Sequence, residues 1–239
     1  MNDRLKQIRE SEKRSHSEIY LNEKLYDTEG WLSKPIKTVR EICSLFAGHQ
    51  RIRVLDLGAG VGRNSIYLAD KLKTKECLID CVDFLDIAID NLNQNAEEYG
   101  VSQCINGIVE SIEEYAIAPA TYDLIMAVSA LEHVDSEETF IKKLEEIKQG
   151  IKNAGIACLV INTEIREVNA VTYEELEPQF EVNMTTDKMN SIIEKVFQDW
   201  KVLKKSVVSQ EYEIPRNGIT SRLTTNVISY MAQKYGEVK

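Results

Sequence analysis

The stretch from Ile52 to Lys73 constrains this chain more than any other. Ile52, Val54, Leu55 and Leu57 are apolar and partly β-branched, which is how a buried parallel strand reads. The run then breaks into glycines on alternate positions, Gly58, Gly60 and Gly62, with Ala59 and Val61 between them. Arg63 and Asn64 follow and open a run to Lys73 with Ile66, Ala69 and Leu72 at helical spacing. Strand, tight glycine loop and helix in succession predict an α/β fold. Glycines there permit positive φ and let a ligand approach with no Cβ in the way. The helix N-terminus beyond them offers unpaired N–H groups and a partial positive charge.

The spacing separates two nucleotide ligands. A dinucleotide fingerprint is G-x-G-x-x-G. It would need glycine at position 63, which is Arg63. The chain reads D-x-G-x-G-x-G instead, with Asp56 at the strand end. A carboxylate facing the loop repels pyrophosphate and suits an ammonium group. S-adenosylmethionine (SAM) has an ammonium, a sulfonium and a carboxylate, and no phosphate. The stretch resembles the first motif of class I SAM-dependent methyltransferases. That resemblance implies a Rossmann-like fold: a seven-stranded, mostly parallel sheet with one antiparallel strand, under an N-terminal helical lid. It implies that Asp56, Gly58, Ala59, Gly60, Gly62, Arg63 and Asn64 hold SAM, and that S-adenosylhomocysteine is the product.

A length of 239 residues suits one α/β domain, with N-terminal helices over 1–48, a core over 50–239 and an insert at about 163–186. A hydrophobic content of 43% supplies a sizeable core. The net charge of −10 disfavours a nucleic-acid partner, since phosphate binding needs a basic footprint. Cys43, Cys77, Cys81, Cys104 and Cys158 form no CxxC pair, and they read as core thiols of a reducing, cytoplasmic compartment. Cys77 and Cys81 have no flanking histidine, so no zinc site is expected. The start MNDRLKQIRE has no apolar core and does not read as a signal peptide. No apolar run approaches membrane-spanning length, so no membrane partner is expected.

Along the chain, Met1 to Gly48 reads helical, charged all round over 2–14, with a turn at 27–30 and a helix from Pro35 to about Phe46. The family resemblance makes this a lid over cofactor and acceptor, with Tyr20, Tyr26 and Trp31 as its aromatics. The alternative is that they pack on the sheet. A second strand over 77–82 ends at Asp83, where Rossmann-like domains bind a ribose hydroxyl pair. Phe84 follows and is placed to lie against adenine. Asp86 is expected to cap a helix from Ile87 to Tyr99, which Gly100 ends. A third strand over 104–109 ends at Glu110 and Ser111, where the resemblance implies an acceptor for the adenine amino group. The fourth strand, 122–128, ends in Val128 and Ser129 and leads into Leu131-Glu132-His133-Val134.

Ligands sit outside the carboxyl ends of parallel strands, so Ser129 to His133 is expected to face the reactive methyl. Leu-Glu-His-Val resembles quinone-biosynthesis O-methyltransferases, which bind metal through Glu-x-x-Glu-His. Ser129 replaces the first Glu here, and Glu132 with His133 alone makes a poor metal site, so no metal is expected. His133 is either a general base for the acceptor or a structural residue starting the helix 136–152. A fifth strand covers 156–161, then a Glu-rich insert to Thr186 either lines the acceptor pocket or is a solvated loop. A helix capped at Thr186-Asp187 runs to about Gln198. Strands over 201–214 and 220–233 are joined by Pro215-Arg216-Asn217-Gly218, a hairpin signal.

Gly-Arg-Asn-Ser in the first motif and the C-terminal strands resemble tellurite-resistance-type methyltransferases, with Arg216 and Arg222 near the acceptor. The resulting expectation is methyl transfer from SAM to a small-molecule acceptor. A non-catalytic SAM-binding protein and a nicotinamide-dependent oxidoreductase are the alternatives.

Overall fold

The computed structural model describes residues 3–27, 30–46, 48–73, 76–216 and 218–236. Seven strands form one sheet in the order β3-β2-β1-β4-β5-β8-β7. They are β1 (Arg51–Leu57), β2 (Glu76–Asp83), β3 (Ile105–Val109), β4 (Tyr122–Val128), β5 (Ile151–Asn169), β7 (Lys201–Arg216) and β8 (Ile219–Gln233). A two-residue strand, β6 (Glu175–Leu176), pairs with β5 off this path. The first five are mutually parallel, and β8 runs antiparallel to both its neighbours. One inserted antiparallel strand is the arrangement the family resemblance implies.

The sheet is buried on both faces because each strand alternates its load. Val54, Cys81, Met126 and Cys158 pack on one side with α2 (Lys37–Ile42), α3 (Ser65–Leu72) and α4 (Asp86–Glu98). Leu55, Val82, Ile125 and Leu159 pack on the other with α5 (Glu137–Gly150) and α6 (Thr186–Val196). Both faces must be apolar, which is why these strands read as continuous hydrophobic runs rather than alternating ones. A polar network stitches the sheet between them. Asp80 of β2 accepts from Arg53 of β1 at 2.9 Å, from Asn106 of β3 at 2.8 Å and from Tyr122 of β4 at 3.0 Å. Asp80 is buried, so three donors offset the cost of removing its charge from water.

Several boundaries differ from the sequence reading. The N-terminal charged run is a continuous helix, α1 (Asp3–Asn22). Within the turn at 27–30, Thr28 and Glu29 lie outside the described residues, as do Met1, Asn2 and Ala47. The helix after Pro35 begins at Lys37 and tightens to a 3-10 turn over Cys43–Phe46. Asp86 makes no side-chain cap; it is the first helical residue, and the carboxylate bonded beside it is Asp83, which accepts from Leu85 N at 3.0 Å.

The larger correction is β5. It starts at Ile151 and continues through the expected insert to Asn169, pairing with β8 as far as Ser221. Its inward residues beyond Asn162 are Thr163, Ile165 and Glu167, two of them polar, so the alternation carries no hydrophobic signal. The hairpin at 215–218 is present with Gly218 at φ 80°, while Asn217 lies outside the described residues.

Candidate active site

The carboxyl ends of β1, β2, β3 and β4 bring four loops to one edge of the sheet. The glycine loop turns back onto β2: Gly58 N and Ala59 N both donate to Val82 O, at 2.8 and 3.0 Å. Gly58, Gly60 and Gly62 have φ of 73°, 54° and 88°, the left-handed region that favours glycine. Space explains two of them. A Cβ on Gly58 would stand 2.4 Å from Ala130 Cβ, at the end of β4, and one on Gly62 would stand 2.3 Å from Leu92 Cδ1 of α4. A Cβ on Gly60 would meet the Tyr20 hydroxyl of α1 at 2.9 Å. The lid helix therefore lies directly over the loop.

Asp83 holds the loop from the end of β2. One carboxylate oxygen accepts from Gly60 N at 2.9 Å and the other from Leu85 N at 3.0 Å. Phe84 beside it is 40% exposed at this edge. Glu110 and Ser111 follow β3, and Glu110 N donates to Asp83 O at 3.0 Å, which brings the third loop against the second. Val128 ends β4 nearly buried, and Ser129 takes φ 50°, a strained value for a residue with a side chain. Its N–H donates to Val160 O at 2.8 Å, fixing that turn to β5.

Three residues of the first motif face elsewhere. Asp56 is sealed within the sheet and accepts from the Ser65 hydroxyl at 2.5 Å, tying the end of β1 to the first turn of α3. Burial pushes its carboxyl up to about 7; the neighbouring Asp83 pushes the same way, while Ser65 and Arg63 oppose. Arg63 lies over the Trp31 ring at 4.6 Å and donates to Trp31 O at 2.8 Å. Asn64 Oδ1 accepts from Ile36 N at 3.2 Å. These two side chains pin the segment leading into α2.

Tyr20, Tyr26 and Trp31 take three different positions. Tyr20 is buried over Gly60, and Asn91 of α4 donates to its carbonyl at 3.0 Å. Tyr26, at φ 62°, donates its hydroxyl to Arg63 O at 2.7 Å and packs edge-on against Tyr99. Burial raises the Tyr26 phenol, so it stays a donor. Trp31 is 44% exposed beside Arg63.

Beyond β4, His133 sits in a 3-10 turn, Leu131–His133. Its Nδ1 lies 3.2 Å from Glu181 Oε2, and its ring stacks on Phe180 with centroids 4.8 Å apart. Glu132 points the other way, buried, and accepts from both the backbone and side-chain N–H groups of Asn162. Burial raises its carboxyl. Arg222 is not brought to the glycine loop. It pairs with Glu211 at 3.4 Å and Glu213 at 3.6 Å across the β7–β8 ribbon, 6.0 Å from the Tyr173 ring. The Arg216 side chain lies outside the described residues. Among the described residues no group of three or more potential ligands is placed to hold a metal, and no helix is long and apolar enough to cross a membrane. The buried thiols are poor nucleophiles, since burial pushes Cys77 and Cys158 up to about 12.

Residues 54–155 match the family described as "Methyltransferase domain", a span that contains the glycine loop, Asp83 and His133. Over those residues the chain is similar to methyltransferase domains. Methyl transfer from SAM is the reaction this likeness supports. No curated protein matches the chain. Among solved structures, this methyltransferase resembles a SAM-dependent methyltransferase from Methanosarcina mazei, with 15% identity, a TM-score of 0.61, and coverage of 85% of this chain and 100% of that one. TehB from Haemophilus influenzae gives 20% identity and a TM-score of 0.58 over 82% of this chain, but this chain spans only 61% of TehB. The 1,6-didemethyltoxoflavin-N1-methyltransferase of Burkholderia thailandensis, solved with S-adenosylhomocysteine bound, gives 14% identity and a TM-score of 0.55 over 96% of this chain and 89% of that one. At these identities the likeness is one of fold, and it extends the match beyond residue 155 to the lid and the C-terminal strands.

Two site features were missed in the sequence. Glu181 and Phe180 meet His133 although they lie 48 and 47 positions away. Arg9 of α1 pairs with both Glu113 and Glu181, which fastens the lid to each side of the cleft. A single aromatic beside a single acid in a Glu-rich stretch carries no periodic signal, so only the folded chain reveals either contact.

Proposed function

We propose that this methyltransferase acts on a small heteroatom acceptor, an N–H or O–H nucleophile, held under the lid formed by α1, with lid and core working as one unit. The observation that carries the reading is Tyr20, buried with its hydroxyl over Gly60. A lid in contact with the cofactor loop excludes water and leaves little room for a polymeric substrate. The acidic net charge also disfavours nucleic acid.

SAM supplies the methyl group on a sulfonium that leaves as a neutral thioether. Asp83 is placed for the ribose hydroxyls and Glu110, Ser111 and Phe84 for the adenine, while the loop from Gly58 to Gly62 lets the cofactor approach the backbone. Arg63, Asn64 and Asp56 support this cradle from behind, and Val128 and Ser129 form its floor beside the methyl. The main contribution is alignment, which supplies roughly 7–11 kcal/mol in well-oriented reactions. His133 stands on the acceptor side as the base.

The purified protein incubated with SAM and panels of small amines, phenols and carboxylates is expected to yield S-adenosylhomocysteine with at least one N–H or O–H class. Turnover only with protein or nucleic-acid acceptors would contradict the small-acceptor reading.

A further inference from the structure

We infer that Glu181 is a positioning residue for methyl transfer: its buried carboxylate fixes the His133 ring so that Nδ1 carries the proton, which leaves the ring's lone pair on Nε2 for the proposed role of base. The inference rests on the proposed role of His133 and adds the group that makes that role possible. The Glu181 side chain is wholly buried and its Oε2 lies 3.2 Å from His133 Nδ1. A buried carboxylate accepts only, so at that distance the proton between the two atoms belongs to Nδ1. Phe180, one residue earlier, stacks on the ring at 4.8 Å and an interplanar angle of 28°, which sets its plane. A histidine needed only to start α5 would need neither contact, and Ser136 already caps that helix by accepting from Thr139 N at 3.1 Å.

The second Glu181 oxygen lies 3.5 Å from Arg9 Nε of the lid helix. The carboxylate therefore also faces a cation of α1. Val182 N donates to Glu132 O at 2.9 Å, which anchors the segment carrying Glu181 to the turn carrying His133. The charged and titratable groups around the ring are Glu181, the neighbouring Glu132, Arg9 of α1 with its partner Glu113, and Asp135, which lies within electrostatic reach of Arg9.

In the transfer, the acceptor X–H contributes the electron pair that forms the X–CH3 bond. The methyl–sulfur bond breaks and its pair stays on sulfur, giving neutral S-adenosylhomocysteine. The proton leaves X for Nε2 of His133, and the resulting imidazolium rests against the Glu181 carboxylate.

Nitrogen-15 NMR of the histidine rings tests this without knowing the acceptor. The chain has three histidines, and His133→Gln assigns the signal. In the wild-type protein, above the ring's titration, His133 is expected as the Nδ1-protonated tautomer; the Nε2-protonated tautomer would overturn the proposal, and this needs no variant at Glu181. In Glu181→Gln the His133 titration midpoint should fall by about one pH unit, because an adjacent opposite charge is lost. An unchanged midpoint would also overturn it. Stabilisation by S-adenosylhomocysteine should persist in Glu181→Gln. If wild-type protein were not stabilised either, the methyltransferase reading would be in error, whatever the ring shows.

Discussion

At the residue scale, Asp56 is a motif residue whose carboxylate turns into the sheet and away from solvent. The sequence places an acid at the end of the first strand, and an ammonium partner is its simplest use. In the structure the carboxylate is buried against Ser65, and burial raises it to about 7. The sign follows directly. Between the ordinary aspartate value and about 7, the folded protein holds a proton that the unfolded chain releases, so stability falls as pH rises through that window. The fall is on the order of 4 kcal/mol at most. Denaturant unfolding of wild type and Asp56→Asn at pH 5 and pH 8 is the check. Wild type should lose more stability than Asp56→Asn between the two, and equal losses would show that Asp56 does not titrate differently on folding. The acid was legible in the sequence. Its orientation was not, because the spacing that marks the motif says nothing about which way a strand-end side chain turns.

At the scale of elements, the glycine loop and α1 are two halves of one device, and two glycines separate their roles. A methyl on Gly58 meets Ala130 Cβ at 2.4 Å, an atom held on the end of β4. A methyl on Gly60 meets the Tyr20 hydroxyl, the far end of a side chain that can swing away. Gly58→Ala should therefore lower the melting temperature markedly. Gly60→Ala should keep the fold, at a cost of about 1 kcal/mol for its positive φ, while loosening the lid and weakening cofactor binding. Melting curves with and without S-adenosylhomocysteine check both; equal thermal losses would mean that the lid does not rest on Gly60. The strands and helices of the parallel half were legible because their faces are apolar throughout. The extension of β5 to Asn169 was not, because Thr163 and Glu167 fill buried positions that a hydrophobic pattern would assign to the core.

At the scale of the whole molecule, the sheet sets out two sets of groups along one edge. Asp83 and the glycine loop stand at the ends of β1 and β2, where we propose that the cofactor sits, while His133 and Glu181 stand at the end of β4 and on the segment beyond β5, on the proposed acceptor side. Arg9 reaches across both through Glu113 and Glu181. The glycine loop was legible because three positive-φ positions on alternate residues demand glycine. The contacts of His133 with Glu181 and Phe180 join distant segments, so the sequence offered His133 without its partners.

The central claim is that the Gly58 to Gly62 loop with Asp83 is a SAM cradle. Calorimetric titration of S-adenosylhomocysteine into wild type and Asp83→Asn tests it most directly, with NAD as the competing ligand. One site per chain is expected in the wild type, with no binding of NAD. Asp83→Asn should weaken that site by roughly tenfold to a hundredfold, the loss of a hydrogen bond to a charged group worth about 1.5–3 kcal/mol. Saturable NAD binding, or wild-type affinity for S-adenosylhomocysteine in a folded Asp83→Asn protein, would contradict the account.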